Sequence, residues 1–542
     1  MTGFALQDLT LGNVLAHQAG RHPAKTFLTE LATGRSWTYG EIQAWSGRVG
    51  NALLTVGAKK GSHVGVLLGN SAEHVATFFG IGRVGAVAVQ VNTAVRGDLL
   101  HYYFDYADAT VLVVDEEHAQ RLAEVLPRLE RVQKVLVLGT NGGPPSAEAL
   151  SACGSRAVDF SRLIQDAAEA LDLAPPACSD LLMFGFTSGT SGPSKACMLP
   201  HAAALTFGTG AVAAQGYTED DVFYVCLPLF HNNALLSALA SALVCGASVC
   251  LARRFSASGF WEDVRASGAT VTNLLGAMSS FLWKQPPTER DADNKLRLVS
   301  ASPTPSFAPE FEQRFNLRLM TNYGLSDFNV VTSFVPASAP PQKLGSIGLP
   351  RPDFLVRIVD DQDIECPAGV HGEIVIRSKE PWRAAQGYYK MPEATLVANR
   401  NQWFHTGDIG YRDADGYLWF VDRKKDCIRR RGENISAFEV EQVLLRHPAV
   451  AAVAVFPVST SDNDEEVAAA VVPKEPGLDP AALVMHCSAN MAYFMVPRYV
   501  QLVAALPTTT NQKVEKFKLR TAAEAALGTL WDRDKEGIEL KR

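Results

Sequence analysis

The sequence predicts an α/β protein with a large N-terminal domain of α/β layers, a β-rich subdomain and a small C-terminal α+β domain. Three observations carry this reading. Short apolar runs alternate with amphipathic helical stretches from residue 64 to residue 300, the rhythm of largely parallel sheets covered by helices. From about residue 355 the apolar runs pair around polar turns instead, as β-hairpins do. A charged break, Asp422-Arg423-Lys424-Lys425-Asp426, then precedes a last segment with apolar runs of its own at 450–455 and 467–472. A chain of 542 residues is also too long for one core. The expected domains are 1–422, with the β-rich part at about 340–422, then 423–530, and a frayed tail at 531–542.

Each element has a local cause. Thr38-Tyr39-Gly40-Glu41 reads as a capping box, with Ile42, Trp45 and Val49 on one helical face and Gly57 near the stop. A strand at 64–68 follows, and Asn70-Ser71 caps the next helix. That helix ends in Gly80-Ile81-Gly82-Arg83-Val84-Gly85, the G-x-G-x-x-G pattern of dinucleotide loops, but here the helix comes first and the strand at 86–91 second. A Rossmann loop runs the other way, so the glycines read as close helix-on-sheet packing and NAD is excluded. Strands are expected at 110–114, 134–138, 223–227, 248–251, 270–275 and 296–300, and hairpin arms at 355–359 with 373–377 and at 411–412 with 417–421.

One stretch stands apart. The buried-strand run Leu181-Leu182-Met183-Phe184 leads into Phe186-Thr187-Ser188-Gly189-Thr190-Ser191-Gly192-Pro193-Ser194-Lys195, read as a loop before the next helix. Free backbone N–H groups, hydroxyls and a lysine with little side-chain bulk suit a phosphate. It is not a Walker A loop, since no Gly-Lys-Ser/Thr stands at the required spacing. By itself it also reads as a flexible connector.

Composition narrows the class. Net charge is −7, with 47% hydrophobic and 20% charged residues, which gives no electrostatic case for nucleic acid. No apolar run reaches a membrane span, and the first residues show no signal peptide. Nine scattered cysteines, without a Cys-x-x-Cys pair, argue against a disulfide framework. The expected compartment is the cytoplasm, and a homo-oligomer is left open.

Further stretches need a common explanation: Phe230-His231-Asn232, Asn322-Tyr323-Gly324-Leu325-Ser326-Asp327, Thr406-Gly407-Asp408, the run Asp422 to Asp426 with Arg431-Gly432-Glu433, and Pro507 to Lys513. With the loop, their order and spacing resemble the core motifs of the adenylate-forming superfamily of acyl-CoA synthetases, carrier-loading adenylation domains and firefly luciferase. Phe420-Val421-Asp422-Arg423-Lys424-Lys425 and the segment 490–497 look closest to carnitine/crotonobetaine-type CoA ligases.

The resemblance implies an enzyme that joins a carboxylic acid to CoA through an acyl-adenylate, with ATP, Mg²⁺ and CoA as its small-molecule partners. Thr187, Ser188, Gly189, Thr190, Ser191, Gly192 and Lys195 would cradle the β- and γ-phosphates. Tyr323 would stack on adenine, flanked by Asn322, Gly324 and Ser326; Asp408 would accept from both ribose hydroxyls, with Arg423 adding a contact. Asp327 would bind the metal. Lys513 would bridge carboxylate and α-phosphate, and its place in the small domain implies that this domain is mobile, turning at Lys425. After that turn Arg431, Gly432 and Glu433 would line the tunnel for the pantetheine arm, with His231 gating it. The acyl pocket would draw on Asn232, Asn233, Ala277, Ala301, Asn322, Phe328 and Asn329, asparagines that favour a short or polar acid over a fatty chain.

Three departures from the pattern are visible. Asp327 stands where the family has glutamate; Gly192-Pro193-Ser194-Lys195-Ala196 displaces the loop proline by one residue and loses a glycine; and Gln512 replaces the glycine before the lysine. None removes a reacting group. Two other readings are kept: a ligase loading a carrier protein in trans, and a catalytically silent adenylate-binding homologue.

Overall fold

The computed structural model describes residues 3–186, 194–275, 278–302, 304–305, 307–334, 339–423, 428–430, 433–435, 437–459, 465–491, 493–508, 514–538 and 540. They divide into two compact units, one drawn from residues up to 186, 194–355 and 377–398, the other from 356–376 and 399 onward.

The first unit is built on two large sheets. In the seven-stranded sheet five of the six neighbouring pairs are parallel, and only Leu181–Phe186 with Ala196–Pro200 run antiparallel. The nine-stranded sheet has a parallel centre, including Val271–Leu275, Leu298–Ser302 and Arg318–Gly324, and antiparallel pairs at its edges. Successive side chains of a strand point to opposite faces. Val111 and Val113 accordingly enter a core shared with the helices Leu11–Arg21, Tyr39–Thr55, Ala72–Arg83 and His201–Gln215, while Leu112 and Val114 enter a separate one. Both faces are covered, which is why these strands read as unbroken apolar runs.

The local signals translate directly. Thr38 and Glu41 form the reciprocal capping box of helix Tyr39–Thr55. The Gly80/Gly82 stretch lies in helix Ala72–Arg83: a Cβ at Gly80 would stand 2.4 Å from Val49 Cγ1, and one at Gly82 2.8 Å from Leu182 Cδ1. Close packing, not a dinucleotide, explains those glycines. One expectation fails. The Ser/Thr/Gly stretch is followed not by a helix but by the strand Ala196–Pro200, with Phe186 paired to Ala196. The apolar run Ala196-Cys197-Met198-Leu199 completes the sheet edge before helix His201–Gln215 begins.

That helix is buried on nearly all sides and starts at His201, which is fully buried. His201 Nδ1 accepts from the Leu11 N–H at 3.1 Å, and burial pushes its pKa down to about 4. The folded form thus carries a neutral imidazole that the unfolded chain protonates near pH 6.5. Stability is whole above pH 6.5 and falls as pH drops from 6.5 toward 4, by about 3 kcal/mol from this residue. Urea denaturation of the parent and of His201→Asn, which keeps an acceptor but does not titrate, should show that slope in the parent and a flatter one in the variant.

In the second unit, four antiparallel strands, Phe354–Val359, Gly372–Ser378, Phe404–Arg412 and Leu418–Arg423, form one sheet. The C-terminal part adds a sheet of Val450–Ser459, Glu465–Pro473, Tyr499–Leu502 and Trp531–Asp532, with helices Ala437–Leu445, Pro480–Asn490 and Lys516–Ala525. Trp531 is half-buried against this core rather than frayed as expected. All eight cysteines among the described residues are free, and no described helix is long and apolar enough to cross a membrane.

Candidate active site

The C-terminal ends of three adjacent parallel strands build a cavity of about 150 Å³ in the first unit. Asn273 and Leu275, Ser300 and Ser302, and Asn322 and Gly324 line it, each pair two residues apart on its strand and therefore on one face. Helix His201–Gln215 closes the opposite side with Phe207, Ala211 and Gln215, spaced by four. A wide π-helical stretch, Asn233–Leu239, adds Asn233 and Ser237. Such turns recur at functional sites, and the ends of parallel strands are where open α/β sheets bind ligands.

The lining is a hydrogen-bonded amide and hydroxyl network. Asn273 Nδ2 donates to Asn233 Oδ1 at 3.0 Å, and Gln215 Nε2 to Asn322 Oδ1 at 3.4 Å. Asn322 Nδ2 donates to Ser300 Oγ at 3.0 Å, and Ser333 Oγ to Asn322 Oδ1 at 2.9 Å. The Asn322 amide is thus committed to the cavity. Of the other residues expected at an acyl pocket, Asn233 lines the cavity and Ala277 lies outside the described residues. Ala301 faces the opposite core because it sits between Ser300 and Ser302. Phe328 packs on Phe354, and Asn329, fully buried, ties Ala203 O to Arg383 O through its Nδ2. Asn232 is buried against Gly185, where a Cβ would come within 3.2 Å of its amide. His231 is half-buried, its ring tilted against Phe230 with centroids 4.6 Å apart, at the head of the π-helical stretch.

From the same hairpin that carries Asn322 and Gly324, a tight turn presents Asp327; Leu325 N donates to Asn329 O at 3.1 Å. Tyr388 OH donates to Asp327 Oδ2 at 2.6 Å, and Lys195 Nζ lies 4.4 Å over the Tyr388 ring. Burial, and then the Asp327 charge, push the Tyr388 phenol well up, so it stays a donor. Segment 386–389 is fixed by backbone bonds to strand Ala196–Pro200, including Met198 N to Gly387 O at 2.9 Å. Beside Lys195, Ser194 O accepts from Tyr102 OH at 2.8 Å, and Ser194 Oγ lies 3.1 Å from Tyr103 OH. Tyr323 on this hairpin is 8% exposed, whereas Gly324 and Ser326 are open.

In the second unit, Asp408 and Arg423 face each other across paired strands, with Arg423 Nε 3.3 Å from Asp408 Oδ1. Gly407, at φ +70° within strand Phe404–Arg412, sits where the pairing register shifts, and its N–H donates to the buried Glu373 at 3.1 Å. Thr187 to Gly192, Lys425, Arg431, Gly432 and Lys513 lie outside the described residues, as does the side chain of Glu433.

Sequence reasoning missed Gln215, Ser237, Asn273, Ser300 and Ser302, and the tyrosines 102, 103 and 388. A usable signal was there: polar residues at alternate positions near the ends of buried strands, as in Leu-Val-Ser-Ala-Ser at 298–302.

Comparison with known proteins supplies the family. The profile of the AMP-binding enzyme family matches residues 15–389, and that of the AMP-binding enzyme C-terminal domain matches 439–513. The chain is 33% identical to the steroid-22-oyl-CoA synthetase of Rhodococcus jostii (strain RHA1) over 90% of this chain and 87% of that protein. It is 30% identical to the crotonobetaine/carnitine–CoA ligase of Citrobacter koseri, over 93% and 97%. Among solved structures, an anthranilate CoA ligase in complex with anthranoyl-AMP superposes with a TM-score of 0.84 at 26% identity, covering 97% of this chain and 99% of that one.

Proposed function

We propose a residue-level mechanism for this chain, which belongs to the AMP-binding enzyme family and is an ATP-dependent, AMP-forming carboxylic acid–CoA ligase. The observation that carries the mechanism is one hairpin of the first unit. Gly324 borders the cavity, Asp327 stands three residues on, and Tyr388 links Asp327 to Lys195. An acyl group in the cavity and a polyphosphate over Lys195 would therefore lie side by side.

A carboxylate is a poor electrophile, and its approach to the α-phosphate is opposed by like charge. Positioning and fixed cations lower that barrier. The stretch Thr187 to Gly192 with Lys195 holds the β- and γ-phosphates, Tyr323 stacks on adenine, and Asp408, fixed by Arg423, accepts from the ribose hydroxyls. Asp327 fits Mg²⁺, which needs only one or two carboxylates beside phosphates; the ion, when bound, neutralises phosphoryl charge. Lys513 bridges carboxylate and α-phosphate. Rotation at Lys425 then brings Arg431, Gly432 and Glu433 to the pantetheine thiol, which displaces AMP. The compartment is the cytoplasm.

The names of the relatives disagree on the acid, from a steroid side chain to carnitine and anthranilate, so identity near 30% transfers the reaction and not the substrate. The reading is tested by pyrophosphate exchange and CoA-thioester formation over a panel of carboxylic acids. Exchange without any thioester to CoA, restored by a carrier protein, would replace it with carrier loading. ATP binding without exchange would replace it with a silent homologue.

The family's loop proline is replaced at Ser194, which two tyrosines hold instead. Tyr103→Phe removes one of those bonds and should raise the KM for ATP about three- to tenfold, the value of one hydrogen bond. Thioester formation from a pre-made adenylate should be unchanged. An unaltered KM for ATP would detach these tyrosines from phosphate handling.

A further inference from the structure

We infer that the acid taken by the cavity is small, uncharged apart from its reacting carboxylate, about one six-membered ring in bulk, and equipped with an O–H or N–H donor for Gln215. This rests on the ligase reading and specifies its substrate class.

Size sets the first limit. A cavity of about 150 Å³ is the size that accommodates a single benzene ring. A steroid or a long acyl chain does not fit, and the latter would also want continuous apolar lining. Charge sets the second. No described lining residue is ionisable; the polar ones are amides and hydroxyls. A second carboxylate, a sulfonate or a quaternary ammonium on the substrate would be desolvated there without a counter-charge, which is costly.

The donor requirement comes from one atom. Gln215 is 8% exposed and lines the cavity, and its Oε1 is buried with no hydrogen-bond partner. Its Nε2 is occupied, donating to Asn322 Oδ1 at 3.4 Å. The reversed amide would place Oε1 at that same distance from Asn322 Oδ1, two acceptors face to face, while Asn322 Oδ1 already accepts from Ser333 Oγ. With the Asn322 amide oriented as it stands between Ser300 and Ser333, Gln215 Oε1 is left as the free atom, and a buried acceptor without a donor is seldom left so. A substrate O–H or N–H satisfies it; the ring carbons meet Phe207, Ala211, Leu275 and Val330.

The test compares kcat/KM for CoA-thioester formation by the full chain with benzoate, its amino and hydroxy derivatives, its fluoro derivatives, decanoate, malonate and a trimethylammonium acid. Donor-bearing benzoates should exceed benzoate and fluorobenzoates about tenfold to a hundredfold, as expected where a buried polar group otherwise stays unpaired. Gln215→Met should erase that preference, and a thermal unfolding midpoint close to the parent's shows that the variant is folded. Preference for the fluoro over the amino and hydroxy acids, or retention of the preference in Gln215→Met, overturns the donor assignment. Thioester from decanoate, malonate or the ammonium acid alone overturns the substrate class and leaves the ligase standing. AMP release with the predicted preference but no thioester upholds the class and overturns the ligase. No turnover and no thermal stabilisation with any small acid overturns both.

Discussion

Replacing Lys513 by alanine is expected to slow adenylation about a hundred- to a thousandfold, the range for removing one fixed donor from a charged transition state. Thioester formation from a pre-made adenylate should be spared. The reason is electrostatic. Carboxylate and α-phosphate are both anionic, and a compact ammonium on a long stem can touch both as they close. Once the adenylate exists that repulsion is gone, and the thiol attacks a neutral acyl carbon. The chain holds the lysine's neighbours firmly: Thr508 and Val514 pair as a β-bridge, and Glu515 N donates to Pro507 O at 2.8 Å. The ends of the stretch bearing Lys513 are thereby set side by side. Single-turnover adenylation and thioester assays on the variant decide the matter. Equal loss of both half-reactions would end the proposed division of labour.

Much of the fold was legible because the strands are buried on both faces. Runs such as 134–138 and 248–251 have no polar face to blur their limits, and the structure returns those same bounds. The Thr38/Glu41 box was legible because capping is local. What failed was longer in range. Ala196–Pro200 was hidden because a glycine-rich stretch after a strand suggested a following helix, and only pairing with Leu181–Phe186 makes it a strand. The site was legible to the extent that motifs stand for chemistry. Asp327, Lys195, Asp408 and Arg423 could be named, but Tyr388, which joins the first two, depends on which segments lie side by side. The acyl cavity was least legible. Asn233 and Asn329 are both asparagines in candidate segments, yet one lines the cavity and the other bonds Ala203 O and Arg383 O in the core. Composition cannot separate these fates, since strand phase and helix face decide them.

The same helix that carries Gln215 yields the largest expected loss of stability, in Gly210→Ala. A Cβ at Gly210 would stand 0.9 Å from Arg351 Nη2 and 1.7 Å from its Cζ. Arginine tips usually yield to such a clash, but this one is 3% exposed. Its Nη1 donates to Val330 O at 2.8 Å and its Nη2 to Thr206 O at 3.1 Å. Burial holds the guanidinium pKa down to about 10, and the Asp353 carboxylate stands 3.7 Å away. Displacing the side chain would break both bonds and leave an incompletely solvated cation. Leaving a buried charged group without its hydrogen-bond partners costs upwards of about 1 to 3 kcal/mol, and we expect a loss of about 3 kcal/mol, read as a lower urea midpoint at unchanged slope. Because Val330 and Phe207 border the cavity, acid affinity should fall with it. Gly20, in helix Leu11–Arg21 with no atom within 4 Å of its added Cβ, supplies the contrast. There alanine should stabilise by up to about 1 kcal/mol through helix propensity alone. Were Gly210→Ala as stable as the parent, the guanidinium would not be the strut that fixes this helix against strand Val330–Phe334.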